Sequence, residues 1–151
     1  MNGYSTGTSS IIKWAAFHHD VGKALIPQAI LNKNGELTSI EFEIMKLHTI
    51  YGYKLLKVIP GERGKIARQI ALLHHERYDS KGYFGYNTKE LPTYVGIVSI
   101  CDVYVALRSK RAYKSAWSKE DTINFIISNA GTKFCPKLVR KFILLDGNGL
   151  D

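Results

Sequence analysis

Cysteine is scarce in this chain: Cys101 and Cys135 are the only two in 151 residues. Two lone thiols in apolar surroundings build no disulfide framework, so the small cross-linked class is excluded and both are expected as reduced core residues. Long apolar runs are missing as well. None approaches the ~20 residues of a membrane span and no signal-peptide pattern opens the chain, so no membrane span and a cytoplasmic location are expected. Clean apolar–polar alternation is confined to residues 94–100, which removes most of the signal for strands. Negative charge is the last shortage. Asp and Glu number 13 against 21 Lys and Arg, a formal net charge of +8. That excess favours a polyanionic partner. The basic residues are spread along the chain and form no single block, so a nucleic acid polymer is not the expected partner. Divalent metals held by the carboxylates would change the local field further.

What the chain does have is helical patterning at the length of one domain, with an apolar content of 45%. Residues 1–10, rich in Gly, Ser and Thr, read as a flexible lead-in, and residues 11–151 as one domain. Residues 11–19 predict a buried helix that stops near Gly22. Pro27 opens a short helix to Leu31, and residues 32–35 form a turn. Thr38 and Glu41 make a capping box, followed by a helix through about Val58 that ends before Pro60. A helix over residues 64–75 places Ile66, Ile70 and Leu73 on one face. Residues 76–92 carry no period, and a loop that long is usually functional. Helix returns over residues 91–107. Ser118 and Asp121 cap another helix closed by Gly131, and Pro136 starts the last. The fold class is all-α.

All five histidines, His18, His19, His48, His74 and His75, fall in the first half of the chain. A lone helical histidine is usually a core or surface residue, but here the set is ordered. Asp20, His48, His74–His75 and Asp102 follow one another at nearly equal intervals, which fits one ligand or pair per helix around a shared core. Imidazole and carboxylate together suit iron, manganese or zinc. Asp102 sits in the apolar run of Ile97, Val98, Ile100, Cys101 and Val103, where a carboxylate needs a cation or a strong donor beside it.

The string HHDVGK at residues 18–23 resembles the HD-x-GK signature of HD-domain phosphohydrolases. With IPQAILNKNGELT, MKLHTIYGYKLL, HHERYDSKGYFG and ICDVYVALRSKRAYK in that order, residues 11–145 resemble the HD-GYP subfamily. The resemblance implies an HD-domain-like helical bundle with a metal site at its centre. It implies a phosphodiesterase that hydrolyses cyclic di-GMP to linear pGpG, GMP or both. His19, Asp20, His48, His74, His75 and Asp102 would then hold two divalent transition-metal ions, iron or manganese, with Asp20 bridging them. Lys23 would contact the substrate phosphate, and Arg111 and Lys114 the dinucleotide. A pair of cations would activate water for in-line attack on phosphorus. His18 stands where the family is usually apolar and is not counted as a ligand.

The chain departs from the family pattern at several points. The GYP element is Gly82, Tyr83 and Phe84; Asp79–Ser80 stands for Asp-Gly; and Val105 replaces a carboxylate near Asp102. Losing the proline frees a backbone N–H and loosens the loop, and Ser80 is strained if its position needs a positive φ. Complete HD-GYP domains carry further helices upstream that supply another His or Glu, and residues 1–17 contain neither. The chain is therefore expected to be a weak hydrolase, with an apolar patch at residues 11–17 through which it forms a homodimer. Two alternatives follow: a degenerate module that binds cyclic di-GMP or a signalling partner, such as a GGDEF-type protein, with little turnover; and an HD phosphohydrolase for another nucleotide.

Overall fold

The computed structural model describes residues 4–110 and 115–146. They form seven α-helices and short 3-10 turns, with no strand among the described residues. The chain divides into two compact units, residues 1–74 and 75–151. Residues 94–100, the one stretch with strand-like alternation, are helical.

The first unit contains helices α1 (Thr6–Phe17), α2 (Gln28–Leu31), α3 (Ser39–Leu55) and α4 (Gly61–Leu73). Helix α1 starts five residues earlier than the composition suggested, which corrects the extent of the flexible lead-in: the Ser5 hydroxyl caps it by accepting from the Thr8 N–H at 3.2 Å. It is also less buried than expected. Ile12 and Ala15 point inward, whereas Phe17 is 86% exposed, so the expected apolar patch reduces here to the end of the helix. Helix α3 begins with the expected capping box: Thr38 accepts from the Glu41 N–H and Glu41 accepts from the Thr38 N–H. A 3-10 turn over Leu56–Val58 follows before Pro60. Helix α4 begins at Gly61, directly after Pro60, and presents Ile66, Ala67, Ile70, Ala71 and Leu73 to the interior.

Two glycines set how closely these segments meet. A Cβ on Gly22 would overlap the carbonyl of His48 and the backbone nitrogen of Gly52, so the 3-10 turn Val21–Leu25 lies directly on α3. A Cβ on Gly52 would come within 3.2 Å of Ala71 Cβ on α4. Small residues at both points let three backbones converge where Asp20, His48 and His74 branch from them.

The second unit contains α5 (Thr93–Arg108), α6 (Lys119–Ser128) and α7 (Pro136–Asp146). Ile100, Ile126, Phe134 and Val139 form its core, with Tyr104 edge-on to Phe142 at 5.4 Å. Ser118 caps α6 as expected, accepting from the Asp121 N–H, and Gly131 takes a positive φ of 88° after the helix. The cysteines do not join this core: Cys101 is exposed and Cys135 half-buried. Cys101 shares the outward face of α5 with Val105 one turn on, so apolar neighbours in sequence are not its neighbours in space.

Candidate metal centre

Asp20 stands at the junction of α1 and the 3-10 turn, with its two carboxylate oxygens facing different partners. Oδ2 lies 3.3 Å from His19 Nε2 and accepts from Lys23 Nζ at 2.6 Å. Oδ1 lies 3.3 Å from His48 Nε2 and 3.8 Å from His74 Nε2. His48 and His74 are each 1% exposed, and the Nε2 atoms of all three histidines are shielded from solvent. The rings meet edge to face, His19 with His74 at 4.7 Å between centroids and His48 with His74 at 5.5 Å.

The second nitrogen of each ring fixes its chemistry. His19 Nδ1 is 2.6 Å from Ala16 O, His48 Nδ1 is 2.7 Å from Met45 O, and His74 Nδ1 is 3.0 Å from Ile70 O and 3.1 Å from Ala71 O. A carbonyl can only accept, so each Nδ1 carries the proton and donates. In the neutral imidazole Nε2 then holds a lone pair, and all three are turned toward one carboxylate. Lone pairs so arranged repel unless protons or a cation lie between them. Three imidazolium charges plus Lys23 around a single carboxylate would leave a large uncompensated positive charge in a buried place. A divalent cation resolves both problems, and the Nδ1–H to carbonyl bond is how metal-ligating histidines are commonly oriented. The donor set of imidazole nitrogen and carboxylate oxygen therefore fits a transition metal, with Asp20, His48 and His74 offering ligand atoms within 4.8 Å of one another.

The field around Asp20 is strong. Burial alone would raise its pKa, but the close polar neighbours His19, His48 and Lys23, the last donating directly, outweigh burial and hold the carboxyl far below the usual carboxylate range. Asp20 is an anion at any physiological pH. His18 places Nδ1 2.8 Å from Trp14 O and its ring 4.4 Å from that of Trp14.

The remaining candidate residues lie in the second unit. His75 directly follows His74 in the chain, is half-buried, and has the Tyr83 ring 4.5 Å away, tilted by 32°. Asp102 lies in the middle of α5 and is half-buried, not fully buried as its apolar neighbours in sequence suggested. Burial, aided by the charge of Arg77, pushes the Lys133 ammonium down, and the Asp102 carboxylate opposes that shift. Gly82 lies tight against Glu76, and Phe84 is exposed at 41%. Ser80 has a φ of 60°, the positive value expected of a residue standing in the place of glycine. Arg111 and Lys114 fall outside the described residues. Glu76 is the functional candidate that patterning missed, because its partners are backbone groups eight and ten residues further on.

Residues 4–138 match the HD domain family. The chain belongs to that family. It is 39% identical over 138 residues to the cyclic di-GMP phosphodiesterase response regulator RpfG of Xanthomonas campestris, a match covering 91% of this chain and 36% of that protein. A cyclic di-GMP phosphodiesterase of Thermotoga maritima is 40% identical over 136 residues, 89% of this chain and 37% of the other. A 3′3′-cGAMP-specific phosphodiesterase 2 of Vibrio cholerae is 37% identical over 138 residues, 91% of this chain and 26% of the other. The chain thus spans about a third of the length of these relatives or less. No described helix is long and apolar enough to cross a membrane.

Proposed function

We propose that the chain is the metal-dependent phosphodiesterase part of an HD-GYP domain, opening cyclic di-GMP to linear pGpG, GMP or both. The observation that carries this reading is the division of Asp20 between two sets of partners. One oxygen faces His48 and His74, the other His19 and Lys23, which is the arrangement a carboxylate needs to bridge two cations. The names of the relatives, which act on cyclic dinucleotides, support the substrate class.

On this reading His19, Asp20, His48, His74, His75 and Asp102 would hold the ions, with Asp20 shared between them. The ions, iron or manganese, supply Lewis acidity and an activated water at neutral pH when bound. The protein prepares their binding: His19, His48 and His74 are locked by their Nδ1–H bonds, and Asp20 is already ionised. Lys23, beside the outer oxygen of Asp20, neutralises charge on the non-bridging phosphate oxygens, and Arg111 and Lys114 hold the dinucleotide. The net charge of +8 favours the approach of this dianionic substrate.

The test is hydrolysis of cyclic di-GMP, with 3′3′-cGAMP as a parallel substrate, under added manganese or ferrous iron. Asp20→Asn is expected to lower both metal content and turnover, the latter by at least ~100-fold, as expected when a ligand shared by both ions is lost. Wild-type protein that binds metal and cyclic di-GMP yet hydrolyses neither dinucleotide would establish the binding-module alternative. Metal content unchanged in Asp20→Asn would overturn the assignment of the ligands.

A further inference from the structure

The loop of residues 79–86 hangs on one buried carboxylate. Glu76 is 5% exposed, and each of its oxygens is used: Oε1 accepts from the Phe84 N–H at 2.8 Å and Oε2 from the Tyr86 N–H at 2.9 Å. Charge-assisted bonds of this kind are the strong class, and burial makes their loss costly. The intervening chain is drawn in so closely that a Cβ on Gly82 would lie 2.5 Å from Glu76 Cα and 2.7 Å from its Oε2. The stem is braced separately. Arg77 grips Asp79 with two hydrogen bonds, Asp79 accepts from the Lys81 N–H, and the N–H groups of Tyr78 and Asp79 donate to Lys133 and Thr132 carbonyls. Between stem and anchor sits Tyr83, its ring against His75.

The sequence predicted a looser loop because Phe84 replaces a proline and frees an N–H. In the structure that N–H is the donor to Glu76 Oε1, a bond no proline could make. The substitution exchanges a ring constraint on φ for a second tie to a buried anion.

We propose that Glu76 is a positioning residue: through the Phe84 and Tyr86 N–H groups its carboxylate holds Tyr83 against His75 and so fixes the orientation of that imidazole. The consequence for metal affinity rests on the ligand role proposed above for His75, whereas the loop anchor itself does not. Glu76 touches neither substrate nor reacting atoms in this scheme. Its effect reaches them through Tyr83 and His75.

The experiment uses the full chain with Co(II) as a spectroscopic probe, combined with amide hydrogen exchange by NMR. Glu76→Gln keeps the volume but turns one oxygen into an NH2 that cannot accept. It is expected to speed exchange at Phe84 and Tyr86 by at least about tenfold, leave exchange in α5 to α7 unchanged, weaken Co(II) affinity about 10- to 100-fold and alter the Co(II) absorption bands. Phe84→Pro removes only the Oε1 bond. It should keep Tyr86 protected and weaken Tyr83–His75 ring contacts, which keeps the proposal testable even if Glu76→Gln folds poorly. Unchanged exchange at both amides in Glu76→Gln, or an unmoved Tyr83 ring despite faster exchange, overturns the proposal. His75→Ala separates the two readings. If it leaves Co(II) binding intact, the ligand role of His75 fails, while the amide exchange still decides the anchor.

Discussion

Gly22 and Lys23 show how much a single position carries. Gly22 has no room for a side chain between the His48 carbonyl and the Gly52 nitrogen, and it is two residues from Asp20. Gly22→Ala must push the 3-10 turn off α3, an overpacking that costs about 1–3 kcal/mol. Metal affinity is expected to fall with stability in that variant, measurable by denaturant unfolding beside metal titration. Lys23 makes the opposite prediction. Its ammonium donates to Asp20 from a half-exposed position, so Lys23→Ala should fold and retain metal. Its cyclic di-GMP affinity should drop roughly 10- to 150-fold, the worth of a charge-assisted contact. A Lys23→Ala protein that binds the dinucleotide as wild type does would remove Lys23 from the substrate site.

At the scale of elements, the capping box of α3 gives a pH-dependent prediction. The Lys33 ammonium, and then the Thr38 N–H, hold the Glu41 carboxyl down, from 4.5 to about 2. A carboxyl depressed in the folded state contributes stability that is complete above its unfolded value and lost as pH falls through the folded one. The acid slope of stability between pH 4.5 and about 2 should therefore be shallower in Glu41→Gln, read from urea midpoints across that window. That box was legible in the sequence because it is local: Thr38 and Glu41 are three residues apart, as are Ser118 and Asp121. The buried face of α4 was legible for the same reason, as a period. The start of α1 was not, since Ser5 and Thr8 lie in a Gly/Ser/Thr stretch that looks like any polar leader. The exposure of Cys101 depends on which way α5 turns within its unit, and no run of neighbours encodes that. The candidate metal centre was legible as a spaced series of His and Asp, but the split of Asp20 between partners appears only once the turn lies on α3. Glu76 escaped notice because a carboxylate that binds backbone N–H groups across an aperiodic loop leaves no mark in residue type.

Taken whole, the molecule is two compact units, and the candidate metal centre gathers Asp20, His48 and His74 from three well-separated stretches of the first. A ligand that binds the folded state alone raises stability by mass action, about 2.7 kcal/mol at a hundredfold excess over Kd. Manganese at that excess should raise the melting temperature of wild type, and a chelator should return it to the metal-free value. His48→Ala should abolish the response. The Nδ1–H bonds add something to this picture. Each of the three imidazoles is tethered to a carbonyl three or four residues back, within its own turn of chain, so the aim of these three rings is settled before the three stretches meet. An ion bound there would find these three rings already oriented. It would act as a clasp between prefabricated parts, and the freedom it removed would be that of whole segments. Replacing any one of these histidines should therefore loosen the join between segments more than it disturbs the helix that carries it.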